Sequence, residues 1–152
     1  SYIFDDDDSG EVADVIAIED DQVSRELKVS LYHCKYAHGS APSARVADLY
    51  EVCGQAIKSC RIINRAEDLV GHIVRREGKL GGRPTRFEKG TILEIKSLQK
   101  RVSTYRMRLE IFVVQPGLSA GALTPEMSSI LGAADNFVLE FTGHRLSVFG
   151  SP

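Results

Sequence analysis

A carboxylate inside an apolar run costs several kcal/mol to bury unless a partner or a metal ion meets it. Asp14 is such a residue, the one polar position in residues 12–18 (VADVIAI). Residues 26–36 (ELKVSLYHCKY) alternate, so Leu27, Val29, Leu31, His33 and Lys35 leave one face of an extended strand. His33 and Lys35 follow three core residues on that face, where a strand leaves the core. A carboxylate, an imidazole and an ammonium at the ends of two neighbouring strands suit phosphodiester hydrolysis. There a divalent cation polarises the phosphate and acidifies an attacking water, while a second positive group steadies the developing charge.

The elements that must hold these groups can be read from the pattern. Residues 2–4 are aromatic and β-branched, an edge strand by type, and residues 5–10 (DDDDSG) form a turn. Residues 12–18 read as a strand buried on both faces, residues 19–22 as a turn and residues 26–36 as the hairpin partner. A loop over residues 38–43, with Ser43 as a cap, leads into a helix whose apolar stripe is Val46, Leu49, Tyr50, Cys53, Ile57 and Cys60. Gln55 lies off that stripe, on the side of Asp48 and Ser59. A second helix is expected over residues 66–77, burying Leu69, Val70, Ile73 and Val74, then a basic loop (GKLGGRP) and a third helix over roughly residues 90–102. Residues 108–115 (RLEIFVVQ) make a buried strand. Thr124-Pro125 starts a helix reaching about Phe141, Gly143 ends it, and residues 146–149 make a last strand. Strands first in hairpins and later separated by helices predict an α/β fold, a central mixed β-sheet flanked by α-helices.

Charge is segregated. Residues 75–108 carry 11 Lys and Arg against three acids, although the whole chain has a net charge of −2. The acids concentrate at residues 5–8 and 19–21, a distribution that suits cations held at one place and phosphates at another. Lys79, Arg83, Arg86, Lys96, Lys100 and Arg101 are the candidate phosphate contacts. Cys34, Cys53 and Cys60 lack CxxC spacing and read as small buried apolar side chains in a reducing compartment; a zinc site from His33, Cys34, His38 and Cys53 has no spacing to support it. No apolar run approaches the roughly 18 residues that span a bilayer, so membrane association is not expected and a cytoplasmic setting is. The chain starts at Ser1 and enters an extended stretch at once, the expectation for one domain, residues 1–152, cut from a longer protein.

The run GEVADVIAI, a short turn, then an alternating strand ending HCKY resembles the PD-(D/E)xK, or restriction-endonuclease-like, superfamily. The resemblance implies that fold core and a magnesium- or manganese-dependent nuclease. It assigns Asp14 as the metal carboxylate, the triplet His33-Cys34-Lys35 as the second motif and the Cys34 carbonyl as a further ligand. Gln55 would support the site from the following helix. A histidine stands where the family has an acid, and imidazole suits manganese or zinc better than magnesium. A relocated carboxylate, from Glu11 or from residues 5–8, is the alternative; Glu11 reaches Asp14 only if the chain bends at Gly10. RLEIFVVQPGLS followed by a helix and LSVFGSP is similar to the tail of bacterial DEAD/DEAH-type helicases, which implies DNA as substrate, helicase domains of the parent chain as partners, and DNA processing or phage defence as the setting. Homodimerisation is left open. Two other expectations stand beside the nuclease: a non-catalytic DNA-binding module of the same fold, and a protein–protein docking domain that uses the acidic run.

Overall fold

Alternating apolar side chains at the N-terminus make strands that can pair as soon as the chain turns. The structure is a computed structural model and describes residues 1–36, 45–62 and 65–151. Its elements are β1 (Tyr2–Asp5), β2 (Val15–Asp21), β3 (Glu26–Cys34), α1 (Val46–Ile62), α2 (Ala66–Glu77), β4 (Phe87–Lys89), α3 (Ile92–Gln99), β5 (Arg106–Val114), α4 (Pro125–Thr142) and β6 (Ser147–Phe149). The sheet order is β4-β1-β2-β3-β5-β6, with β1 antiparallel to β2 and β4, and β5 parallel to β6. The fold is therefore α/β with a mixed six-stranded sheet flanked by four helices, as the order of elements predicts. By contacts the chain divides into two compact units, Ser1–Leu31 with Ile62–Leu109, and Tyr32–Arg61 with Glu110–Pro152.

In the first unit, Tyr2 pairs with Ile18 and Phe4 with Ile16, which sets Phe4, Ile16 and Ile18 in the core. Leu27 and Val29 of β3 are fully buried. Helix α2 packs on α3 and buries Leu69, Val70 and Ile73, while Val74 is half-exposed. The boundaries of α2 coincide with the sequence expectation. Three others differ. Strand β1 is not an edge, because β4 pairs along its free side. Only three residues long, β4 lies between a Gly/Pro loop and Gly90, too short for periodicity to reveal. Strand β2 starts at Val15, so Asp14 precedes the strand. The third helix ends at Gln99, capped at its start by Thr91, whose hydroxyl accepts from the Glu94 N–H at 3.3 Å.

In the second unit, the expected start and stop of α4 are both found. Thr124 accepts from the Met127 N–H, Pro125 opens the first turn, and Gly143 closes the helix at φ +75°. The α1 stripe is rotated from its expected position. Leu49, Val52, Cys53, Ala56, Ser59 and Cys60 are buried, whereas Tyr50 is 60% exposed. Asp48 and Ser59 are thus covered, not turned to water. The expected loop over residues 38–43 and the Ser43 cap lie outside the described residues.

Gly90 offers a check on the β1–β4 packing. Its φ is +89°, and a Cβ there would stand 2.6 Å from Cδ1 of Tyr2. Gly90→Ala should lower stability by about 2 kcal/mol or more in urea unfolding, from left-handed strain plus overpacking. Gly132→Ala, in open space on α4, should be neutral or slightly stabilising. Equal midpoints for the two variants would contradict this packing.

Candidate metal centre

Between β1 and β2 five of the nine residues are acidic, and the chain is folded around one buried group. Asp6 has no solvent exposure. Its carboxylate accepts from the Val12 N–H at 2.8 Å, from Nε2 of His72 at 2.8 Å and from Nε of Arg76 at 2.8 Å. A carboxylate only accepts, so His72 carries its hydrogen on Nε2. His72 and Arg76 stand four apart on α2 and therefore share a side of that helix. The rest of the Arg76 guanidinium donates to the carbonyls of Asp6, Asp7 and Ser9 at 2.6, 3.1 and 2.7 Å. The backbone of Asp6 also donates to the Asp14 carbonyl at 2.9 Å, closing the base of the loop.

This frame sets the next residues. Asp8 has φ +112°, a conformation that costs a non-glycine residue about 1–3 kcal/mol, and Gly10 turns the chain at φ +88°. The Asp8 N–H donates to Oε2 of Glu11 at 3.1 Å. The chain does bend at Gly10, and Glu11 does come round to Asp14. Asp7, Glu11 and Asp14 place carboxylate oxygens within 4.8 Å of one another, Asp7 exposed and the other two half-buried. It is the one metal-competent group of three or more ligands among the described residues, and it does not include His33.

The donor set fits a hard divalent cation. Magnesium, manganese and calcium take carboxylate oxygens and complete their shells with water. Burial pushes the Glu11 carboxyl above its usual range; its bond from the Asp8 N–H opposes the shift, and the charges of Asp14, Asp7 and Asp6 add to it. A cation among these oxygens would offset both the burial and the repulsion. Asp8, outside the cluster, is held below the usual range by its bond from the Ser9 N–H, with Arg83, Arg86 and Arg76 adding to this.

The basic segment meets much of this acidity within the same unit. Arg86 donates to the carbonyls of Asp7 at 2.7 Å and Asp5 at 3.3 Å, and its Nη2 stands 3.7 Å from Asp8. Arg83 reaches Asp8 at 3.5 Å and is 71% exposed. Arg101 pairs with Asp20 and contacts the Tyr105 hydroxyl. Arg86 and Arg101 thus hold the fold together. Lys79, Lys96 and Lys100 are exposed.

The second unit holds the other expected residues. His33 is 2% exposed, and its Nε2 lies 3.0 Å from Oγ of Ser59. Ser59 gives its own hydrogen to the Ala56 carbonyl, so His33 is the donor and a metal could reach its ring only through Nδ1. Burial holds its pKa down at about 4. Lys35, just past β3, pairs with Glu51 at 2.7 Å. Glu51, Gln55 and Ser59 recur every four residues, which puts the half-exposed Gln55 on the side of α1 that meets Lys35 and His33. Cys34 is exposed, while Cys53 and Cys60 are buried with thiols raised to about 11 and so stay protonated.

The sequence offers Glu11 or one of residues 5–8 as alternatives for a single relocated carboxylate beside Asp14; in the structure Glu11 and Asp7 both stand there. Nothing in the sequence pattern marks the Asp6–His72–Arg76 frame. A run of four aspartates has no periodicity to say which one turns inward. No family model matches the chain, nor does any curated protein or solved structure.

The low pKa of His33 has a measurable consequence. Unfolded, the ring takes a proton near 6.5; folded, only near 4. The neutral buried ring therefore contributes stability that is complete above pH 6.5 and is lost as pH falls towards 4, about 3 kcal/mol in all. In urea unfolding followed over that window, His33→Gln should lack this part of the acid sensitivity. Parallel pH profiles for the two proteins would show that His33 is not held neutral by burial.

Proposed function

We propose that the chain is a nuclease domain of the restriction-endonuclease-like class that hydrolyses DNA phosphodiester bonds with magnesium or manganese. The observation that carries this reading is the convergence of Asp7, Glu11 and Asp14 ahead of β2. When bound there, the cation would supply the polarisation of the phosphate and the acidification of the attacking water. Glu11 and Asp14 would hold it from half-buried positions, and Asp7 from the solvent side. Exposed Lys79, Arg83, Lys96 and Lys100 would track the nucleic-acid backbone without reading bases, which makes binding strongly salt-dependent. The resemblance of HCKY to the family motif supports Lys35 as the group that steadies developing charge, with Gln55 beside it. No helix among the described residues is long and apolar enough to cross a membrane.

A second reading is favoured by one specific observation. His33 is buried against Ser59 and Lys35 is paired with Glu51, so both residues of the second motif already have structural partners. That arrangement suits a DNA-binding module of the same fold without catalysis. A docking role for the acidic run gains no such support, because Arg76, Arg83 and Arg86 turn to it from the same unit.

Cleavage of labelled single- and double-stranded DNA in magnesium, then manganese, separates the two. The nuclease reading expects metal-dependent cutting that falls about a hundredfold or more in Asp14→Asn and in Lys35→Ala. DNA retained without cutting in either metal, with affinity indifferent to Asp14→Asn, would replace it with the binding module.

A further inference from the structure

Beside the carboxylate loop, in the same unit, is a cavity of 390 Å³ whose apolar part is Leu80 and Pro84 and whose polar lining is Asp5, Asp7, Asp8, Arg83, Thr85 and Arg86. Asp7 belongs both to this cavity and to the carboxylate group. The cavity walls carry three aspartates and two arginines, so an anion entering the protein alone meets net negative charge. Its arginines are nevertheless set for an oxyanion. Arg86 is 16% exposed and fixed by its bonds to the Asp5 and Asp7 carbonyls. The contacts of Arg83 and Arg86 to Asp8, at 3.5 and 3.7 Å, are longer than hydrogen bonds, which leaves guanidinium N–H groups for a better-placed acceptor. Arg83 is mostly exposed and can swing on its own stem.

We propose that this cavity seats a phosphate group of a nucleic-acid strand, clamped by Arg83 against the fixed Arg86, and that it accepts that phosphate only once the neighbouring carboxylates hold a cation. The inference rests on the metal-site reading above and adds to it a substrate contact and an order of binding. Two positive charges bound through Asp7, Glu11 and Asp14 offset most of the negative charge that a phosphate would meet at the cavity wall. A planar guanidinium then recognises phosphate oxygens in pairs, a geometry lysine lacks. Cation first, phosphate second follows from the charges.

The test pairs two readouts on the whole chain. Mn²⁺ binding is followed by electron paramagnetic resonance. Binding of a fluorescent oligothymidylate is followed by anisotropy, with and without Mn²⁺, before any cutting. Oligothymidylate should bind about tenfold or more tightly with Mn²⁺ present. Arg83→Ala should lose about tenfold of that affinity with Mn²⁺ binding unchanged, and Arg83→Lys should recover only part of it. Lys89→Ala, which removes an exposed charge outside the cavity and outside the proposed backbone contacts, should cost about twofold or less, the general electrostatic effect. Mn²⁺ binding with an oligothymidylate affinity indifferent to Mn²⁺, or equally sensitive to Arg83 and Lys89, would overturn this inference and leave the metal site standing. Failure to bind Mn²⁺ would overturn the metal site, and this inference with it.

Discussion

A carboxylate taken wholly out of water must be surrounded by donors, and in this protein Asp6 is. Arg76, His72 and the Val12 N–H meet its two oxygens from an α-helix and from the far end of its own loop. Removing one partner of such a buried pair leaves a charge with nothing to offset it, at a cost of about 3–5 kcal/mol. The network therefore acts as a registration device. It ties the turn after β1 to α2 across more than sixty residues of sequence, and the left-handed backbone of Asp8 is held in place by the same guanidinium. With the Asp6 side chain turned inward, its neighbour Asp7 is exposed, and the chain returns through Gly10 so that Glu11 and Asp14 come beside it.

The electrostatics follow from that geometry. Acidic and basic segments that are separate in sequence are largely interleaved in the fold, so net charge by segment overstates the free positive surface. Arg76 is consumed in shaping the loop and Arg101 in pinning Asp20, while Arg86 braces the loop through Nη1 alone. The same unit holds a compact acidic group whose charge a cation would largely offset, an adjoining cavity walled by both signs, and a few exposed lysines. Binding of a cation and binding of a phosphate are coupled in such an arrangement because each supplies the charge that the other needs.

Most of the α/β framework was legible because it rests on periodicity and punctuation. VADVIAI and ELKVSLYHCKY announced a hairpin, Thr124-Pro125 and Gly143 bracketed α4, and α2 stood out by its stripe. The three-residue β4 carries no period and was not legible, whereas the equally short β6 was marked by the break at Gly143 and the apolar residues after it. The burial of Asp6 was not legible either, since its partners His72 and Arg76 are distant in sequence and look like ordinary polar positions of a helix. The α1 face was misjudged because Asp48 and Ser59 count as polar by type, whereas Arg45 pairs with Asp48 and His33 with Ser59. Residue type marked Asp14, and the glycine turn made Glu11 its partner; choosing Asp7 from four consecutive aspartates required the three-dimensional frame.

The claim most exposed to experiment is that Asp6 organises three neighbouring carboxylates into a cation site without being a ligand itself. Mn²⁺ titration by electron paramagnetic resonance, comparing the wild type with Asp6→Asn at a temperature where circular dichroism shows both folded, tests it directly. The account predicts saturable binding to one site in the wild type. Asp6→Asn, with Asp7, Glu11 and Asp14 untouched, should bind about tenfold or more weakly, since loss of a partner shell costs a ligand set on that scale. Equal affinity in the two proteins, or no saturable Mn²⁺ binding in the wild type, would contradict it.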